Sequence, residues 1–293
     1  MLVKKSSMIG YCYGVSNTIA LAKKCLEEAK QKNLPCYSLG KLIHNNDVVS
    51  YFEQKGLKPI KTPQGNAPGL ALVRAHGIRD CDRRAFQQAG FKLVDSTCPT
   101  VLKGVKAVRK AAAEGKFILL LGFAGHAETV GLEGVEVAEG VPAKTTLISS
   151  LEDAQKLAAS NPIFQEGLLV VTQTTFPKTL YESIIFFLKE KYGDIGLGNK
   201  PCPLCEKREQ EGLELASQCD CAVVVGGCES ANTKNLAAVA AQSGKPVFTV
   251  ENAASFDEAL VKELKKYSTV ALLSGSSTPI SLVDEVSGLL ERL

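Results

Sequence analysis

The chain has 293 residues, 45% of them hydrophobic, and 34 basic against 31 acidic side chains give a net charge of +3. That length buries a large core, as one large domain or two to three small ones, and the scattered charges form no basic stripe, which argues against a nucleic-acid partner. No apolar run reaches the roughly 18 to 20 residues of a bilayer span, so no membrane partner is expected, and ten cysteines are too dilute for a disulfide-stapled scaffold.

In chain order, Lys4 and Lys5 precede a short, glycine-containing segment (6–15) without a small-residue cleavage pattern, so export is not expected and the setting is the reducing cytoplasm. There a cysteine serves as a metal ligand or as a small apolar core residue, and the second role is expected of Cys25, Cys36, Cys81, Cys219 and Cys221. Cys12, in Gly10-Tyr-Cys12-Tyr, opens a segment that turns helical, runs into a strand and ends in a polar loop at His44; the strand Ala71-Leu-Val-Arg-Ala-His76 follows. The pattern restarts at Ser96-Thr-Cys98-Pro, with a helix predicted over 100–114, the strand Phe117-Ile-Leu-Leu-Leu-Gly, a loop at His126, and Val170-Val-Thr-Gln-Thr174-Thr175. It restarts once more at Lys200-Pro-Cys202-Pro, with Ala222-Val-Val-Val-Gly-Gly, a loop at Ser230, a helix predicted over 234–243 before Gly244, and Val270-Ala-Leu-Leu-Ser-Gly-Ser-Ser277.

The cysteine-to-loop separations are 32, 28 and 28 residues (12 to 44, 98 to 126, 202 to 230), and the loop-to-turn separations are 32, 48 and 47 (44 to 76, 126 to 174, 230 to 277). Such a recurrence marks an internal repeat, and alternating helical and β-rich runs mark parallel βαβ construction. The expected fold is α/β, in three units spanning 14–97, 98–199 and 200–293, with segment 1–13 packing at the centre. Ligands of open α/β sheets bind beyond the carboxyl ends of the strands, so the polar loops of all three units are expected at one cleft.

Three cysteines in register, with no histidine in their motifs, suit a [4Fe-4S] cluster whose fourth iron stays open. Zinc with three protein ligands and a water is the inorganic rival, and buried cysteines at helix starts are the plain structural one. The three histidines of the chain each fall at a strand-to-loop junction; with Ser230, Asn232, Thr233 and Ser277 they form a receptor for phosphate or diphosphate. N-capping is the alternative role for the small polar residues. Glu128, two residues after His126 on a glycine-flanked turn, is the candidate proton donor, against the default of a solvated carboxylate.

These residues resemble the 4-hydroxy-3-methylbut-2-enyl diphosphate reductase family, also called IspH or LytB, over nearly the whole chain. The matches are Gly10-Tyr-Cys12-Tyr-Gly-Val, His44-Asn-Asn-Asp-Val-Val, Ala75-His76-Gly77, Asp95-Ser-Thr-Cys98-Pro, Gly125-His126-Ala-Glu128, Thr172-Gln-Thr174-Thr175, Cys202 with Arg208, Ser230-Ala-Asn232-Thr, and Gly275-Ser-Ser277-Thr-Pro. The resemblance implies a trefoil of three pseudo-threefold-related α/β units around a [4Fe-4S] cluster held by Cys12, Cys98 and Cys202. It implies reductive removal of the substrate's allylic hydroxyl to give isopentenyl and dimethylallyl diphosphates. Glu128, His126 and Thr174 would deliver the proton; His44, His76, Thr175, Ser230, Asn232 and Ser277 would bind the small-molecule diphosphate substrate. Electrons would come from a ferredoxin or flavodoxin.

This chain departs from the family pattern at several points. The arginine usual in the first motif is absent from Met8-Ile9-Gly10-Tyr11-Cys12, the usual His-Pro-Glu is His126-Ala127-Glu128, Ala231 replaces a serine, and the chain stops at Leu293 without the longer tail of many members. The third motif, usually Cys-x-x-Thr, is Cys202-Pro-Leu-Cys205, a spacing at which Cys205 can close the fourth iron and leave a protein that transfers electrons or reduces another substrate. Cys228 is a second thiol near the expected diphosphate loop.

Overall fold

The computed structural model describes residues 1–160, 164 and 167–293. Among them the strands form three four-stranded parallel sheets and one two-stranded antiparallel ribbon, so the expected α/β class with parallel-rich sheets is what the chain adopts. The chain makes two compact units. One comprises Met1–Asn17, Lys41–Lys55 and Pro203–Leu293, and the other Thr18–Gly40 and Gly56–Cys202.

The first unit holds one sheet, in the order Leu2–Lys5, Thr269–Ser274, Cys221–Val225, Val247–Val250. Residues alternate across it. Val223, Val225 and Leu272 pack with Val283, Val286 and Leu290 of the helix Ile280–Glu291, while Ala222, Val224 and Leu273 pack with Ala216 of Pro203–Ser217 and Leu236 and Ala240 of Ala231–Ala241. A sheet covered on both faces needs an unbroken apolar run, which Cys221-Ala-Val-Val-Val225 supplies. Each fully buried Val or Leu adds about 1.5–3 kcal/mol.

The second unit holds two sheets with the same logic. One runs Lys92–Asp95, Leu70–Val73, Cys36–Leu39, Leu57–Ile60, and the other Gly196–Leu197, Leu168–Thr172, Phe117–Leu121, Thr145–Ile148. In all three sheets the inner strands and the far edge follow one another along the chain in the same order, and the near-edge strand is the one that leads into Cys12, Cys98 or Cys202. The sheet nearest the C-terminus takes that edge from the chain's opening residues: Leu2 to Lys5 pair with Thr269 to Leu272.

Two boundaries differ from the sequence reading. The helix predicted over 100–114 is Pro99–Ala113, because Pro99 suits the first helical position. The helix predicted over 234–243 is Ala231–Ala241, because Ser230 caps it by accepting the Thr233 N–H. Cys25, Cys36, Cys219 and Cys221 are buried as expected, whereas Cys81 is exposed on the helix Asp80–Gln88. Among the described residues no helix is long and apolar enough to cross a membrane.

Candidate functional site

The three motif cysteines share one local setting. Each is half-buried and immediately precedes a helix: Tyr13–Lys32 after Cys12, Pro99–Ala113 after Cys98, Pro203–Ser217 after Cys202. Each cysteine N–H also donates to a carbonyl two residues beyond the end of an inner strand: Cys12 to Ser276 at 3.1 Å, Cys98 to Ala75 at 3.0 Å, and Cys202 to Thr174 at 2.8 Å. The next residue in each case is a candidate substrate contact, Ser277, His76 or Thr175. The structure therefore corrects the spacing reading by one: Thr175, rather than Thr174, is the counterpart of His76 and Ser277.

In the second unit the strands Phe117–Leu121 and Leu168–Thr172 lie side by side, which brings the His126 loop to the Thr174 turn. His126 caps the short helix Ala127–Glu133, its Nδ1 accepting the Glu128 N–H at 3.2 Å. Glu128 thus sits in the first turn of a helix and, at 1% exposed, is not the solvated carboxylate of the default reading. Its carboxylate accepts the Thr174 backbone N–H at 2.9 Å and the Thr174 hydroxyl at 2.7 Å. Burial pushes its pKa up to about 7, against the pull of the two Thr174 bonds, and the negative charge of Cys202 adds to the rise. The His76 and His126 rings stand edge to face with centroids 5.6 Å apart.

Sequence reasoning passed over Gln173, the hub of this group. It is 0% exposed; its Oε1 accepts from the Phe123 N–H at 3.1 Å and the Thr129 hydroxyl at 3.2 Å, and its Nε2 donates to the Thr175 hydroxyl at 2.6 Å. The signal was present, since a glutamine flanked by Thr172 and Thr174 interrupts a strand end that otherwise carries small residues.

In the first unit His44 precedes Asn45, which caps Asn46–Gln54. Ser277 donates its hydroxyl to the His44 carbonyl at 3.2 Å, and a Cβ on Gly227 would lie 2.3 Å from the same oxygen, so the His44 loop seats against a backbone that only glycine leaves open. Ser230 is the cap named above. Asn232, 3% exposed, accepts the Ser276 N–H at 2.7 Å, while its buried Nδ2 has no hydrogen-bond partner among the described residues. A buried donor without a protein acceptor is a cost unless a ligand supplies the acceptor, which suits an anionic oxygen.

Cys205, half-buried, lies one helical turn beyond Cys202. Cys228 is exposed; its N–H donates to Glu251 at 2.9 Å, and a hydrogen bond to that carboxylate raises the pKa of its thiol. That setting disfavours the thiolate a metal requires.

Cys12, Cys98 and Cys202, each half-buried at a helix start, are donors of the type that hold an iron-sulfur group.

Comparison with known proteins identifies the family. The family model described as LytB protein matches residues 3–291. The 4-hydroxy-3-methylbut-2-enyl diphosphate reductase of Nitratidesulfovibrio vulgaris is 34% identical over 295 residues, spanning all of both chains. The enzyme of that name from Treponema denticola is 31% identical over 292 residues, 98% of each. The solved E-1-hydroxy-2-methyl-but-2-enyl-4-diphosphate reductase of Plasmodium falciparum superimposes with a TM-score of 0.88 at 27% identity, over 98% of this chain and 87% of that one.

Proposed function

We propose, since the chain belongs to the LytB protein family, that it is an oxidoreductase of isoprenoid biosynthesis that reduces 4-hydroxy-3-methylbut-2-enyl diphosphate. In this reaction the allylic C–O bond breaks, two electrons and two protons enter, and water leaves with isopentenyl or dimethylallyl diphosphate. The observation that carries the reading is the buried Glu128 carboxyl, held twice by Thr174, whose own carbonyl holds the Cys202 N–H. A carboxyl with a pKa of about 7 carries its proton to neutral pH and still releases it readily.

Cys12, Cys98 and Cys202 are the proposed ligands of one [4Fe-4S] cluster, at the middle of a trefoil of the units 14–97, 98–199 and 200–293. When bound, that cluster would supply electrons one at a time and an iron position for the leaving hydroxyl. Glu128 donates the proton, His126 fixes the helix that carries it, and Thr174 aligns its carboxyl. His44, His76, Thr175, Ser230, Asn232 and Ser277 hold the diphosphate through imidazole, hydroxyl and amide donors. A ferredoxin or flavodoxin donor and a cytoplasmic setting complete the proposal.

The test is anaerobic turnover of the diphosphate with reduced methyl viologen, following both isopentenyl products. A protein that carries iron and sulfide yet gives neither product sinks the substrate assignment. A second reading, closure of the fourth iron by Cys205, rests on the half-buried thiol one turn from Cys202. An unchanged iron coordination in Cys205→Ser removes it.

A further inference from the structure

Arg208 is 5% exposed, in the second turn of the helix that follows Cys202. Its Nη1 donates to the Ser274 carbonyl at 2.7 Å and the Ser274 hydroxyl at 3.3 Å, and its Nη2 to the Gly10 carbonyl at 3.0 Å. The Gly10 N–H in turn donates to the Ser274 hydroxyl at 3.0 Å. Every acceptor is neutral. Buried arginine is almost always paired with an anion, because an uncompensated charge is costly to desolvate.

The acidic groups near the guanidinium are Cys12, Cys205 and Glu211. Glu211 is already engaged: its carboxylate accepts from the hydroxyls of Ser6 and Ser7 and from the Ser7 N–H. Those donors are neutral, so Glu211 keeps its charge and shares the cation with the Cys12 and Cys205 thiols. Guanidinium does not deprotonate at any pH the protein survives, so the charge is permanent. Arg208 and Glu211 stand one turn apart on the same helix and clamp residues 6 to 10, the run into Cys12, to the helix that Cys202 opens.

We propose that Arg208 is a positioning residue and the fixed counter-charge of the cysteine centre: it seats Cys12 and makes the group held there easier to reduce. The inference rests on the [4Fe-4S] reading above. A positive charge beside the sulfurs stabilises the more negative, reduced state, so its removal lowers the midpoint potential. Arg208 thus brings a cation from the Pro203–Ser217 helix to the backbone that runs into Cys12.

The experiment compares the full-length wild type, Arg208→Lys and Arg208→Gln, each loaded anaerobically, by iron and sulfide content and by a dithionite titration with mediators followed spectroscopically. Arg208→Lys should keep the cluster with a potential near that of wild type, while Arg208→Gln should titrate at a more negative potential or fail to retain iron. Retention of iron by Lys but not Gln supports the inference equally. An unchanged potential in Arg208→Gln, the same shift in both variants, or loss of iron from both overturns it and leaves a purely structural arginine. A wild type that takes up no iron sinks the cofactor reading, and this inference with it; the other outcomes leave that reading standing.

Discussion

Glu128 and Asn232 occupy the same place in two repeats. Each is the second residue of the helix that follows a polar loop, and each accepts the backbone N–H of the residue whose carbonyl holds a motif cysteine, Thr174 at 2.9 Å for Glu128 and Ser276 at 2.7 Å for Asn232. One position carries a titratable carboxyl and its counterpart an amide that cannot titrate.

Replacing Glu128 by Gln keeps the shape and one acceptor and removes the acid. Turnover with reduced methyl viologen should fall by about 10²-fold or more, with the iron spectrum unchanged. A variant within tenfold of wild type would assign the proton to another group.

The pH profile follows from the same carboxyl. Since its folded pKa stands at about 7, the wild-type rate should decline as pH rises through that value. Thr174→Val deletes a bond that favours the anion, so the decline should move to higher pH while the maximal rate drops. A limb that stays in place would show that some other group titrates.

Stability is linked to this proton with a definite sign. The folded pKa is raised from the ordinary glutamate value near 4.5 to about 7, so Glu128's favourable share is complete below about pH 4.5 and is lost as pH climbs through 7, a change of order 3 kcal/mol. Denaturant titrations at pH 6 and pH 9 should show a smaller difference for Glu128→Gln than for wild type.

Gly10 has φ +81°, and a Cβ there would lie 2.6 Å from Cγ1 of Ile280. Gly10→Ala should lower stability by about 1–3 kcal/mol and loosen the run into Cys12, read as a lower melting temperature with reduced iron content. Ile280→Ala in the same chain should restore part of both, since the steric half of the cost disappears and the backbone half remains.

Asn232→Ala removes a buried donor that has no acceptor among the described residues. KM for the diphosphate should rise by about tenfold to a hundredfold, the range of a hydrogen bond to a charged group, with a smaller change in kcat. An unchanged KM would take Asn232 out of the substrate contacts.

The register of the cysteines, the histidine and serine loops and the parallel α/β class were legible in the amino-acid order, because motif spacing and the unbroken apolar strands such as Leu70–Val73 and Cys221–Val225 are local properties. Other features depended on packing between segments far apart in the chain. Burial decides that Glu128 titrates near 7 and that Gln173 joins Phe123, Thr129 and Thr175. Strand exchange decides that Leu2–Lys5 completes the sheet of the last repeat, and with it the side-by-side setting of Gly10, Ser274 and Arg208. Spacing along a chain records which residues repeat; desolvation and hydrogen-bond partnership arise only when segments distant in the sequence pack together, and those two quantities set the chemistry of each side chain.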